Sequence, residues 1–232
     1  MCSGLSNSTR GIFAGFIYPY ADTIDYITIQ SIGNAVDFGN LTQTKGYTMQ
    51  CASPTRGLIF GGINNPSVPS IDDIDYVTIA STGNAQDFGD TTFTGNYGAA
   101  NVASRTRGIR AGANNGNYTN MIEYYTTATL GNGTDFGDLH ETKHMPGGIS
   151  NSIRGIFCGG QGSGFHTKRI DYITITTTGN AVKFGDLTGV RNNPGGASSP
   201  TRGVIGGGYV APGAVNIMEY MAIPTLGDSV DF

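Results

Sequence analysis

The stretch Ile153-Arg154-Gly155-Ile156-Phe157-Cys158-Gly159-Gly160 is followed by Ile170-Asp171-Tyr172-Ile173-Thr174-Ile175 and closed by Gly179-Asn180-Ala181-Val182-Lys183-Phe184-Gly185-Asp186-Leu187. It decides the fold, because the chain repeats it. The Arg-Gly step recurs at Arg10, Arg56, Arg107, Arg154 and Arg202, at separations of 46, 51, 47 and 48 residues. A further glycine follows each step at Gly15, Gly61, Gly112, Gly159 and Gly207. An acid-Tyr pair comes next, at Asp25-Tyr26, Asp75-Tyr76, Glu123-Tyr124, Asp171-Tyr172 and Glu219-Tyr220, and each unit closes on Phe38, Phe88, Phe136, Phe184 or Phe232. A fixed period of this size is the signature of a repeat architecture.

Within a unit the pattern reads as four short strands separated by turn residues. In the last unit strand one covers 196–199 and strand two 203–207, joined by Ser-Pro-Thr-Arg. Strand three is clearest over 170–175, and strand four carries Val182, Phe184 and Leu187. In Ile24-Asp25-Tyr26-Ile27-Thr28-Ile29 both strand faces hold apolar groups, as in a sheet covered on each side. Four strands cannot bury both faces alone, so the cover has to come from neighbouring units. The expectation is an all-β, five-bladed β-propeller with four antiparallel strands per blade. It is one domain over 1–232, with blades at about 1–46, 47–97, 98–145, 146–193 and 194–232. Its first strand, 2–7, and last strand, 230–232, fall in separate, adjacent blades, so a closed ring would rest on side-chain packing between blades one and five.

Composition agrees. The 37 glycines among 232 residues imply many tight turns, and 9 prolines with no Gly-X-Y period exclude collagen. Charged residues make up 13% of the chain, the net charge is −4, and no Lys/Arg-rich run exists to displace phosphate counterions, so nucleic acid is not an expected partner. Apolar stretches reach only about five residues, too short for a membrane span. Residues 1–10 carry neither a basic nor an apolar signal region. Cys2, Cys51 and Cys158 have no metal spacing and read as reduced thiols.

The second strand ending in a glycine pair (Gly61-Gly62, Gly159-Gly160, Gly207-Gly208) and the period near 48 residues resemble kelch repeats along the whole chain. The outer-strand Trp of that family is absent, and Phe38, Phe88, Phe136, Phe184 and Phe232 are expected to substitute for it, each largely buried between blades. The Thr-Arg-Gly-Ile-Phe-Gly-Gly, Ile-Asp-Tyr-Ile-Thr-Ile and Gly-Asn-Ala-x-Asp-Phe-Gly-Asp-Leu phrases, in idealised form, resemble repeats in virion structural proteins of marine tailed phages. That resemblance implies a virion location, in a tail, fibre or decorating module acting in host attachment or assembly. Its partners would be other virion proteins or a host-surface glycan or protein. A cytoplasmic or non-classically released protein is the alternative.

Four antiparallel strands place loops one-two and three-four at one end of a sheet, and loops two-three and four-one at the other. The first set is nearly constant between units, as turn geometry demands. The second varies: 16–23, 63–73, 113–121, 161–169 and 208–216 differ in length and content. Loops on a rigid scaffold carry binding, so the partner face is expected here, with Tyr18, Tyr20, Asn64, Asn65, Asn115, Tyr118, His166 and Tyr209 as contacts. Tyr and Asn combine flat apolar area with hydrogen-bonding groups suited to sugar or protein recognition.

Two motifs suggest other chemistry and do not fit their context. His140-Glu141-Thr142-Lys143-His144 matches H-E-x-x-H, but it aligns with the loop after strand four, and Met145-Pro146-Gly147-Gly148 stops any helix. Gly160-Gln161-Gly162-Ser163-Gly164 lacks the Lys and the helix of a phosphate loop. The five Arg residues are expected to donate to turn carbonyls. The five acids are expected to accept N–H bonds from their own glycine loops, a cation held by a ring of carboxylates being the alternative. The repeated markers supply no asymmetric catalytic constellation, so neither an enzyme nor a cofactor is expected. The leading function is a non-enzymatic binding or structural module, and the alternative is a multivalent lectin.

Overall fold

The computed structural model describes residues 3–16, 19–64, 71–93, 97–114 and 116–232. Among the described residues there is no helix, and the secondary structure is strand and turn. The first sheet holds β1 (Ser3–Ser6), β2 (Arg10–Ala14), β3 (Ala21–Thr28) and β4 (Val36–Lys45). The second holds β5 (Met49–Ala52), β6 (Arg56–Gly62), β7 (Ile71–Thr78) and β8 (Gln86–Asp90). The third holds β9 (Ala100–Ala103), β10 (Arg107–Asn114), β11 (Tyr118–Thr126) and β12 (Thr134–Asp138). In the fourth, β13 (Gly147–Ser150) and β14 (Arg154–Cys158) are followed by the hairpin β15 (Gln161–Gly162)–β16 (Phe165–His166), then by β17 (Arg169–Thr174) and β18 (Val182–Asp186). The fifth repeats this, with β19 (Gly195–Ser198), β20 (Arg202–Gly206), the hairpin β21 (Tyr209–Val210)–β22 (Gly213–Ala214), β23 (Met218–Ala222) and β24 (Val230–Asp231). The five four-stranded sheets follow the order of strands in the chain, and the two hairpins form separate two-stranded sheets.

By contact density the chain forms two compact units. One is Met1–Tyr97 with Arg105–Gly108 and Tyr125–Thr134; the other is Gly98–Ser104 with Ile109–Tyr124 and Asp135–Phe232. In the first unit Leu5, Ile12, Ile24, Phe38 and Leu41 of the first sheet share a buried cluster with Ile59, Val77 and Ile79 of the second. In the second unit Ile109, Ile122 and Phe136 of the third sheet cluster with Phe157, Ile173 and Ile175 of the fourth. Phe184 and Leu187 then cluster with Ile205, Met221 and Ile223 of the fifth. Where strands two and three face a neighbouring sheet, their apolar residues are thus buried between successive sheets.

The Arg-Gly step owes its glycine to this stacking. A Cβ on Gly57, Gly108 or Gly155 would lie 2.6–2.8 Å from the side chain of Leu5, Cys51 or Val102, which sits on the innermost strand of the preceding sheet. The arginine ties the next sheet on. Arg10 Nη1 donates to the Ile79 carbonyl at 2.9 Å, Arg56 Nη1 to Thr127 at 2.9 Å, and Arg154 Nη1 to Ile223 at 2.8 Å. Each guanidinium also lies over the Tyr of its own sheet, 4.4–4.9 Å from the ring centre. The carbonyl belongs to the following sheet, not to the arginine's own turn, so the guanidinium joins two repeats. Backbone bonds add to the seam: in the second unit Gly179 N–H donates to Phe136 O, Ala181 to Asp138, Gly227 to Phe184 and Ser229 to Asp186, at 2.7–3.0 Å.

Phe38, Phe88 and Phe136 are each 2% exposed and Phe184 4%, as expected of residues standing in for the missing Trp. Phe232 departs from that expectation, at 67% exposed. Its ring still meets Tyr220 edge to face at 6.1 Å, like Phe184 against Tyr172 at 6.0 Å.

Candidate functional site

The strand order places the two-three and four-one loops at one end of every sheet, and backbone bridges knit them together. The four-one loop of one sheet pairs with the two-three loop of the next at Gly46↔Ile63, His144↔Gln161 and Asn192↔Tyr209. Immediately after each bridge the chain turns through a left-handed residue, Tyr47 (φ 58°), Met145 (φ 55°) or Asn193 (φ 52°). Met and Tyr are uncommon there, so the position is imposed by the loop.

In the second unit this end opens a polar cavity of about 410 Å³ lined by Asn114, Gly116, Asn117, Tyr118, Thr142, Ser163 and Gly164. The Tyr118 ring stacks on His144, with centroids 4.3 Å apart and planes at 25°. His144 Nδ1 sits 3.3 Å from Gln161 O, and the Gln161 Oε1 accepts from Asn192 Nδ2 at 2.8 Å. Burial holds the His144 imidazole below its ordinary value, and nearby His166 pushes the same way against the raising effect of the Gln161 carbonyl. The wall of the cavity is therefore an aromatic face fixed by a neutral imidazole. Its rim carries amides and hydroxyls that can donate or accept.

The repeated acids lie below this end, and their partners differ from expectation. Instead of accepting N–H bonds from their own glycine loops, Asp75, Glu123, Asp171 and Glu219 are neutralised by cations. Lys45, in β4 of the first sheet, reaches Asp75 at 3.0 Å and Asp73 at 2.8 Å. Thr42 Oγ1 donates to Asp75 at 2.5 Å. Lys143 meets Asp171 at 3.0 Å, and Arg169 Nε binds the same carboxylate at 2.6 Å. Arg191 pairs with Glu219, which also takes Thr188 N at 3.0 Å and Thr188 Oγ1 at 2.6 Å. The second repeat has Gly95 where the others have Lys or Arg, a position outside the described residues. Glu123 instead meets Arg110 Nη1 at 2.7 Å, from a β10 position that is apolar in the other sheets.

The H-E-x-x-H segment is an irregular loop. His140 is exposed, Lys143 between the histidines is buried on Asp171, and His144 faces Tyr118. Cys51 and Cys158 are buried free thiols. Burial pushes Cys158 up to about 12, which leaves it protonated and unreactive.

Of the eight expected contact residues, Tyr118 lines the cavity. His166 is half-buried in β16, opposite Gln161. Tyr209 is 44% exposed on the β21–β22 hairpin, Tyr20 is half-buried beside Gly46, and Asn64 lies close to Gln43. Tyr18, Asn65 and Asn115 fall outside the described residues. Sequence reasoning missed Asn114, Asn117, Thr142, Ser163 and the stacking His144. The period alone could have raised Thr142 and His144, since their loop belongs to the same end.

The constant end also carries cavities, each about 260 Å³. In the first unit Phe38, Arg56, Tyr76, Ser81 and Asn84 line one; in the second Phe136, Tyr172, Thr177 and Asn180 line another at equivalent repeat positions. No protein-family model matches the sequence, and no curated protein matches it.

Proposed function

We propose that the chain is a non-enzymatic binding module of the kelch-like propeller type, in which each four-stranded sheet acts as a blade and the variable-loop end contacts the partner. The observation that carries this reading is the cavity walled by Tyr118. It combines a fixed aromatic face with Asn114, Asn117, Thr142 and Ser163, a set suited to a saccharide or a polar protein surface. The buried carboxylates Asp75, Glu123, Asp171 and Glu219 are engaged in ion pairs that join strands and sheets, which makes them structural groups. The motif resemblance favours a virion tail, fibre or decorating protein that acts in host attachment or assembly.

Binding of the purified chain to a glycan array and to host cells tests the reading. Tyr118→Ala, Tyr20→Ala and Tyr209→Ala should weaken attachment while leaving the melting temperature unchanged, a true anchor contributing about 2 kcal/mol. Ser31→Ala, Ser81→Ala and Thr177→Ala at the constant end should leave attachment unchanged. The opposite pattern would overturn the assignment of the face.

A second reading, a multivalent lectin, is favoured by the equivalent cavities at the constant end. It requires Tyr76→Ala and Tyr172→Ala each to remove one of several saccharides bound per chain.

A further inference from the structure

The two cavities of about 260 Å³ at the constant end occupy equivalent repeat positions, and their linings differ in chemistry. In the first unit the three-four loop of the second sheet is fixed on the outer strand of the first. Gly83 N–H donates to Phe38 O at 2.7 Å and Ala85 N–H to Asn40 O at 2.8 Å. Asn40 N–H in turn donates to Asn84 Oδ1 at 3.1 Å, which engages the acceptor side of that amide and leaves Nδ2 as a donor. Gln86 is oriented in the same sense, since its Oε1 accepts the Tyr76 hydroxyl and its Nε2 remains. Arg56 Nη1 is engaged by the Thr127 carbonyl at 2.9 Å, while its Nε and Nη2 donate to no acceptor among the described residues.

Arg56, Asn84 and Gln86 all line this cavity, with the hydroxyls of Ser81 and Thr82 beside them. Among the described residues that line it, Arg56 is the one charged group, so a guanidinium and two amide donors meet with no carboxylate to answer them. The second-unit cavity is the contrast. Asn180 Oδ1 is engaged there too, by Asp138 N–H at 3.0 Å, but Val182 stands at the position of Gln86 and no arginine is among the described lining residues. The same loop therefore builds a donor-rich cavity in one repeat and an uncharged one in another.

We infer that the first-unit cavity is a carboxylate-binding site whose ligand is an acidic sugar of the uronic acid class. A guanidinium flanked by amide N–H groups suits the two oxygens of a carboxylate, and charge-assisted bonds of this kind are the strong ones. The hydroxyls of Ser81 and Thr82 can each donate or accept, as the hydroxyls of a sugar ring require. A volume of about 260 Å³ lies below that of sites for drug-sized ligands, which fits one ring and not an extended chain. The site is at the opposite end of the sheets from Tyr118 and does not rest on the partner face assigned there. It also needs only one of the two constant-end cavities, whereas the multivalent lectin needs both.

Calorimetric titration of the whole chain with sodium glucuronate, glucose and inorganic sulfate tests this, with amide NMR shifts to locate the ligand. Glucuronate should bind and move the amides of residues 81–86, and glucose and sulfate should each bind at least about tenfold more weakly. Asn84→Asp keeps the Oδ1 acceptor, as Asp228 shows at the same position of the fifth sheet by taking Asp186 N–H at 2.9 Å, but it puts a like charge in the cavity and should abolish glucuronate binding. Gln86→Val installs the second cavity's residue and should weaken binding about tenfold. Both positions are exposed, so both variants should melt like the parent; if Asn84→Asp melts early, Gln86→Val carries the test. Asn180→Asp, the matching change in the second cavity, should leave glucuronate binding unchanged. A parent that binds no glucuronate overturns the inference, as does glucose binding equally well, which removes the carboxylate. Sulfate binding equally well leaves a site for any anion and removes the sugar. Parent-like affinity in Asn84→Asp and Gln86→Val, or a loss in Asn180→Asp, would put the ligand elsewhere.

Discussion

The fourth and fifth sheets are built from nearly the same phrases and have the same strand order, yet one is buried and the other is half bare. Phe184 and Phe232 meet their tyrosines at 6.0 and 6.1 Å with similar angles, and Arg154 and Arg202 lie over those tyrosines at 4.9 and 4.6 Å. The innermost strands diverge most: β13 alternates between buried and half-buried residues, while β19 is exposed throughout. The difference separates two contributions. The pose of a side chain is set inside its own sheet by the backbone and by the Arg-Tyr-Phe contact. Its burial, and with it most of its contribution to stability, comes from the sheet that follows.

The sharpest way to break that comparison is to delete the same ring from both sheets. Phe184→Ala removes a side chain that is 4% exposed and should cost about 3 to 5 kcal/mol, through lost burial and the cavity left behind. Phe232→Ala removes one already in water and should cost under about 1 kcal/mol. Denaturant melts of the two variants under conditions where the parent is monomeric give both numbers. Equal losses would mean that the Tyr contact within a sheet, not cover from the next, holds the ring's energy.

A smaller contrast lies on the innermost strands. A Cβ on Gly147 would fall 2.9 Å from Pro194 Cγ and 3.2 Å from Pro194 O, so Gly147→Ala should destabilise by about 1 to 3 kcal/mol through overpacking. At the equivalent Gly195 the nearest atom is Gly206 O at 3.8 Å, and Gly195→Ala should be neutral or stabilising by up to about 1 kcal/mol, because alanine narrows the unfolded ensemble. Thermal melts of the pair decide it, and a loss at Gly195 as large as that at Gly147 would show that β19 is covered in solution.

How much of this was legible in the sequence follows the same division. The strands and their order were readable because period, turn residues and β-branched runs are local signals: β17, β19 and β20 lie within a residue of their expected bounds, whereas β3 and β11 begin inside stretches read as loops and the hairpins β15–β16 and β21–β22 were not expected. The buried Phe positions were readable for four repeats, since a repeat inside a stack has neighbours by definition. Phe232 was misjudged because the same local phrase carries no information about whether anything covers it. The acids were misjudged for a related reason: Asp75, Asp171 and Glu219 take their cations from the preceding repeat, at Lys45, Lys143 and Arg191. A pairing across repeats is invisible to reasoning within one unit, although the recurrence of Lys or Arg seven residues after the Phe was there to be read. Of the site, Tyr118 was readable as an aromatic residue in a variable loop. Its stacking partner His144 was not, because attention to the H-E-x-x-H spacing placed that histidine in the wrong kind of chemistry.

The smallest contrast concerns the bridges leading into the two sheets. His144 pairs with Gln161 at the entry to the fourth sheet, and Asn192 pairs with Tyr209 at the entry to the fifth. Only the first carries an imidazole. Burial lowers the folded-state value of His144 below the ordinary 6.5, so below that pH the unfolded chain binds a proton that the folded chain resists. Stability from the neutral imidazole is therefore fully present above about pH 6.5. It is lost as the pH falls from there through the lowered folded value. The informative quantity is the difference between the parent and His144→Asn, which installs at the fourth sheet the residue found at the fifth and leaves every other ionisable group in place. Melting temperatures measured from pH 8 to pH 5 should fall more steeply on acidification for the parent than for the variant, and the two curves should run parallel above pH 7. Because Tyr118 stacks on the same imidazole, the fluorescence of that loop should change over the same pH range in the parent and stay level in His144→Asn. If the parent and the variant lost stability in parallel down to pH 5, the imidazole would be open to water in the folded state, and the wall of the cavity would not be the fixed surface that the binding reading requires.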